Sequence, residues 1–160
     1  MLPPKGKIGL FLGSWYTLPM LDWVHGKSKR SDFARQMEEN ARLKKMLTAE
    51  GTLIIKFWMH LSMEQQYARL ESLANDHRTQ WRVSKRNWEH HRLHARFCKA
   101  AELSMKITGT AQAPWMIASG VDRAARSLTV GKVILEAMRK RLDQHKRRPP
   151  ARSRRPRCLR

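Results

Sequence analysis

Acidic residues are scarce in this sequence. Thirteen Asp and Glu stand against 33 Lys and Arg, a formal net charge of +20 over 160 residues. Such a field draws polyanions: nucleic acid, nucleotides, polyphosphate or an anionic membrane surface. Cysteine is almost absent. Cys98 and Cys158 are too few for a disulfide framework, and a reducing, cytoplasmic setting is the expectation. No apolar run approaches the roughly 20 residues that cross a bilayer. The opening MLPPKGK has no apolar core of the signal-peptide kind, so no membrane partner is expected. No internal repeat is present. No G-x-x-x-x-G-K occurs in the 160 residues, so they hold no sequence for a P-loop phosphate cradle.

What is present suits one domain with a core, since 41% of the residues are apolar. The charge is uneven. The eight Lys and Arg of residues 144–160, QHKRRPPARSRRPRCLR, leave +12 on residues 1–143. The chain therefore divides into a folded part, 1–143, and a basic Pro/Arg tail, 144–160, expected to be disordered. The tail reads either as a nucleic-acid or polyphosphate tether or as a solvated extension with no role.

Residues 7–11, KIGLF, read as a compact strand. Ser31 caps a helix to about residue 50, with Phe33, Met37, Ala41, Met46 and Leu47 on its apolar stripe. Residues 52–61, TLIIKFWMHL, form a strand apolar on both faces apart from Lys56. SMEQ at 62–65 is a capping box, and its helix runs to about Leu73. Residues 74–83 are irregular. Ser84 opens a long helix to about Ile107, and a third strand covers 115–118. Asp122 caps the last helix, to about Leu142, with Ala125, Leu128, Ile134, Leu135 and Met138 inward. Strands alternating with helices predict an α/β fold with parallel strands and helical crossovers. Ligands then sit beyond the carboxyl ends of the strands, here residues 12–14, 59–61 and 119–122. Three strands make a thin sheet, and the sequence looks like part of a domain.

Several residues carry candidate chemistry. Arg78, Arg82, Lys85 and Arg86 surround Trp81 in RTQWRVSKR. Long guanidinium groups clamp phosphate oxygens in pairs, though such a run also suits a solvated helix end. Arg123 and Arg126 follow the third strand end and can face the crevice, while Asp122 is accounted for as a helix cap. Lys56, mid-strand, is costly to bury alone, so it reaches phosphate or pairs with an acid, pairing being the preferred reading. Arg69 either contacts polyphosphate or faces solvent. His90, His91 and His94 lack the glutamate and cysteine companions of a metal centre, so no metal site is expected. Trp15, Trp58 and Trp115 read as core; Trp81 and Trp88 stay open.

The strings PPKGKIGLFLGSWY, GTLIIKFWMHLSMEQQ, WRVSKRNW, and APW with SGVDRAARSLTV resemble the polyphosphate kinase 2 family over residues 2–142, in order and with family-like spacing. The likeness is strongest to its polyphosphate:AMP phosphotransferase branch, whose members carry two such domains, and within it to the less typical first domain. The resemblance implies a partial P-loop-kinase-like parallel sheet flanked by helices, with a helical lid and with the P-loop strand upstream of this segment. It implies phosphoryl transfer between polyphosphate and nucleotides with Mg²⁺, and phosphate binding by Arg78, Arg82, Lys85, Arg123 and Arg126. At the opening stretch the family reads F-D-R-S-W-Y. Here Phe11, Ser14, Trp15 and Tyr16 match, but Leu12 and Gly13 replace the Asp and Arg, and Trp23 takes the place of a second arginine. A leucine cannot hold Mg²⁺. The expectation is a truncated or degenerate phosphotransferase domain, weakly active or inactive alone, whose magnesium binding is in doubt. The alternative is a non-catalytic basic module that binds polyphosphate or RNA. A homo-oligomer or partner domain that completes the sheet remains open.

Overall fold

The structure, a computed structural model, describes residues 2–4, 6–13 and 15–146. Of the tail, 147–160 lies outside the described residues. Along the chain come α1 (Thr17–Val24), α2 (Arg30–Ala49), β1 (Lys56–His60), α3 (Met63–Asn75), a 3₁₀ turn (Gln80–Arg82), α4 (Lys85–Arg92), α5 (His94–Thr108), β2 (Trp115–Ser119) and α6 (Arg123–Lys146). The two strands pair in parallel, Lys56 opposite Trp115 and His60 opposite Ser119. The crossover between them is the whole helical run α3 to α5, as parallel pairing requires. The mixed α/β class and the parallel sheet are as the sequence predicts.

The core is a helical layer against one sheet face. Tyr16, Met20, Val24, Phe33, Met37 and Ala100 are buried together, with Trp23, Trp58, Phe97, Ile107 and Trp115 packed around them. Trp23 stacks on Phe33 with ring centroids 4.8 Å apart. The readings of Trp58 and Trp115 as core thus hold; Trp15 is partly buried beside Phe11 and Tyr16. Because Phe33 is wholly buried, Phe33→Ala is expected to lower the unfolding free energy by about 3–5 kcal/mol in a denaturant titration.

Four expectations need correction. Residues 7–11 form no strand. Ile8, Leu10 and Leu12 are exposed, and Lys7 donates its N–H to the Pro4 carbonyl in a turn. A strand exists only through its ladder, and among the described residues nothing pairs with this segment. Second, the expected elements include none over residues 17–24, where α1 forms although it contains Pro19. In the first turn of a helix, however, proline forfeits no helical hydrogen bond, and α1 buries Pro19, Met20 and Val24. Third, the long helix after Ser84 breaks at Leu93, the shared cap of α4 and α5. Fourth, α6 carries two apolar faces. Ile134 lies on the partly covered one, whereas Leu128, Leu135, Met138 and Leu142 are exposed. On α2 likewise, Lys44 rather than Met46 is buried.

Candidate functional site

The carboxyl ends of the two strands meet closely. Gly120 donates its N–H to the His60 carbonyl at 2.7 Å. A Cβ on Gly120 would lie 3.0 Å from Leu61 Cγ and 3.1 Å from the His60 oxygen, so a bare backbone is what allows this approach. Both following helices start at this edge. Ser62 Oγ accepts from the Gln65 N–H while Gln65 reaches back to the Ser62 N–H, the predicted capping box. Ser62 also donates to Glu64, which holds that carboxyl below its ordinary range. Asp122 Oδ1 accepts from the Ala125 N–H at 2.6 Å, the predicted cap of α6. Two helix N-termini therefore bring partial positive charge to one edge.

From this edge hangs a helical hairpin, α3, the 3₁₀ turn and α4. Its outgoing leg leaves directly after Ser62. Its return is fixed where the break at Leu93 turns His94 back to the strand end, with His94 Nε2 2.9 Å from the Leu61 carbonyl oxygen. Tyr67 packs edge-on to Trp88, and His91 Nδ1 lies 3.2 Å from Gln66 Oε1, which joins the two legs. His90 meets His25 instead, Nε2 to Nε2 at 3.3 Å, with Glu89 on the other side of His25. Burial first, and then the neighbouring His25, hold the His90 pKa below its usual value. The three histidines thus serve three separate contacts. Among the described residues no three His, Cys, Asp or Glu side chains gather as a metal site.

The basic candidates divide by position. Arg123 and Arg126 lie in the first turn of α6, at the strand ends. Arg126 is tied to the Gly120 carbonyl at 2.7 Å, while Arg123 is exposed. Arg78, Arg82 and Lys85 lie at the hairpin tip, beyond the 13 residues of α3, which places them about 20 Å from the strand end. All three are exposed. Arg78 is engaged with Asp76, Nε to Oδ1 at 3.4 Å. Arg82 lies by Trp81, its guanidinium carbon 5.9 Å from the ring centroid. Arg69 is exposed midway along α3. Leu12 is fully exposed, and Gly13 has φ +66°, a conformation an arginine there would adopt only with strain. Tyr16, just past this turn, packs edge-on against Trp115, the first residue of β2 and the opposite end of the sheet. The structure therefore joins two of the three predicted ends, while the described part of the third, Leu12 and Gly13, leads into Tyr16 at the opposite end of the sheet.

Lys56 departs from its preferred reading, pairing with an acid. It is buried at the amino end of β1, and among the described residues it pairs with no acid. Its Nζ donates to the Thr108 carbonyl at 2.8 Å and lies 4.7 Å from the centre of the Trp115 ring. Lys44, buried in α2, donates to the same carbonyl. Thr108 ends α5, where carbonyls lack helical donors and the helix dipole is negative, so cations are drawn there. Burial and the adjacent Lys44 push the Lys56 pKa down to about 7. Tyr16 sits in the same cluster. Burial raises its phenol pKa, and the Thr108 hydroxyl, already engaged by Trp115 and Ser104, draws it partly back. Nothing in the sequence marks Lys44, since it interrupts an apolar stripe as any solvent-facing lysine would.

With this geometry in hand, comparison with known proteins is specific. The sequence model of the polyphosphate kinase 2 family matches residues 1–146. The polyphosphate:AMP phosphotransferase of Pseudomonas syringae pv. tomato is 39% identical over 143 residues, covering 89% of this chain and 29% of the relative. That of Pseudomonas aeruginosa is 35% identical over 153 residues, covering 94% and 31%. A solved structure described as a polyphosphate kinase 2 from Pseudomonas aeruginosa superposes with a TM-score of 0.75 at 33% identity, covering 88% of this chain and 28% of that one. This chain therefore spans about three tenths of the length of these relatives. Its two-stranded parallel sheet and basic hairpin belong to a P-loop-kinase-like fold, and on the family match across residues 1–146 the chain belongs to the polyphosphate kinase 2 family.

Proposed function

We propose that this chain supplies the strand-end and lid portion of a polyphosphate-dependent nucleotide phosphotransferase site. The observation that carries the reading is the hairpin: both its legs are fixed at the end of β1, and Arg78, Arg82, Lys85 and Arg86 cluster at its tip. A lid rooted in this way swings over the strand ends, brings guanidinium groups to a transferring phosphoryl group and excludes water. Arg123, at the head of α6, meets the phosphates from the sheet side, and Arg69 lies on the path between. The relatives' names, polyphosphate:AMP phosphotransferase, give the donor and acceptor class.

The chain's own residues do not suit magnesium. Leu12 offers no side-chain oxygen, Asp122 has Oδ1 engaged by the Ala125 N–H, and no group of three His, Cys, Asp or Glu side chains stands together among the described residues. Magnesium therefore arrives with the phosphate chain or is held by groups outside these residues. Leu12 and the absence of a G-x-x-x-x-G-K within the 160 residues make this segment weak in catalysis by itself. No described helix is long and apolar enough to cross a membrane, and the two cysteines favour a reducing, cytoplasmic setting.

The second reading, a basic module that holds polyphosphate or RNA through residues 144–160, draws on the eight Lys and Arg there. One titration separates the two. At a fixed 0.15 M salt, Arg82→Glu with Lys85→Glu should weaken polyphosphate binding by about 10- to 100-fold, since two charge-assisted contacts become repulsions. Removal of 144–160 should leave that loss in place. If the truncated chain binds nothing and the double variant binds as tightly as the parent, the tail is the binding element and the lid reading fails.

A further inference from the structure

Trp81 is exposed over about four fifths of its surface (79%), while the other five tryptophans are partly buried. It does not dangle. Its indole N–H donates to the Arg78 carbonyl at 3.0 Å, which fixes the ring within the 3₁₀ turn at the hairpin tip. No core contact requires an indole there, and a large fixed aromatic face in water is a recognition feature more than a packing one. Its surroundings are cationic. Arg82 lies alongside with its guanidinium carbon 5.9 Å from the ring centroid, so it occupies at most one face. Arg78, Lys85 and Arg86, all exposed, lie within five residues of it in the sequence. Asp76, five residues before it, is already engaged by Arg78.

A π-face bordered by guanidinium and ammonium groups matches a ligand with an aromatic ring at one end and phosphate at the other. We infer that Trp81 is the base-stacking platform for a nucleotide whose phosphates rest on Arg82 and Lys85. One exposed indole takes one base. A nucleic-acid strand is read by successive aromatic platforms, and Tyr67, the other exposed Phe, Tyr or Trp among the described residues of the hairpin, is turned edge-on to Trp88. A mononucleotide is therefore the ligand class. The inference deepens the phosphotransferase reading and rests on it for the placement of the nucleotide on the lid.

The test compares ADP with inorganic pyrophosphate, which shares its two phosphates and lacks the base. Affinities are measured for the full chain, Trp81→Ala and Trp81→Phe, with thermal unfolding to confirm that each variant folds. Trp81→Ala should weaken ADP about tenfold, from the loss of one base stack, and leave pyrophosphate unchanged. Trp81→Phe should restore most of the ADP affinity. Equal losses for both ligands, no loss for ADP, no ADP binding by the parent chain, or a Trp81-dependent preference for a single-stranded oligonucleotide over ADP each overturns the platform. Polyphosphate binding that persists while ADP is indifferent to Trp81 leaves the lid reading standing and removes only this inference.

Discussion

Lys56→Met is expected to stabilise the protein at pH 6 by about 2 kcal/mol, the order of relief when an uncompensated buried charge is replaced by a hydrophobe of similar length. The parent holds two buried lysines, Lys44 and Lys56, on one carbonyl, and among the described residues no acid pairs with either. Burial and Lys44 lower the Lys56 pKa to about 7 from an ordinary 10.5. The sign follows from linkage. Below pH 7 both folded and unfolded states carry the proton, and the full penalty is present. Between 7 and 10.5 the unfolded chain keeps the proton that the folded protein has released, so stability rises with pH by up to about 1.4 kcal/mol per pH unit. Above 10.5 the penalty is gone. The advantage of Lys56→Met should therefore shrink from pH 7 upward and, at that slope, be gone by about pH 8.5. Denaturant titrations of parent and variant at both ends of that interval measure it. A variant less stable than the parent at pH 6 would show that the Thr108 and Trp115 contacts outweigh the buried charge.

How much of this was legible in the sequence depends on whether the determining interaction is local. The capping box at Ser62, the Asp122 cap and the two strands were readable because their partners lie within a few residues or in a plain apolar run. The parallel order followed from the long helical interval between 60 and 115. Residues 7–11 misled because apolar content states that a segment suits a sheet, not that a neighbour is present to pair with it. Leu128 and Leu135 misled for a related reason: α6 has two apolar faces, and periodicity cannot say which one this chain covers. Of the candidate site, the basic residues were visible as a cluster. Their distance from the strand ends was not, because it depends on the length of α3 and on the His94–Leu61 tie. The Lys44–Lys56 pair was invisible, since it joins residues from a helix and a strand at the end of a third element.

Phosphoryl transfer is where the largest effect is expected. The barrier falls chiefly through preorganised positive charge around the moving phosphoryl group and its metal, and each such group is worth about 10²- to 10³-fold. The hairpin tip and the head of α6 carry cations, but position 12 is a leucine and no glycine-rich phosphate-loop motif occurs among the 160 residues. Hard oxygen ligands are what magnesium requires. The most direct measurement is transfer from polyphosphate to AMP or ADP with Mg²⁺, made on this chain as it stands and on the chain with Leu12→Asp joined to a glycine-rich strand-loop-helix segment. The account predicts turnover at or near background for the first and an increase of about 10³-fold or more for the second, with two electrostatic contributions restored. Rapid turnover by the 160 residues alone, or a joined protein that binds polyphosphate and still transfers nothing, would contradict it.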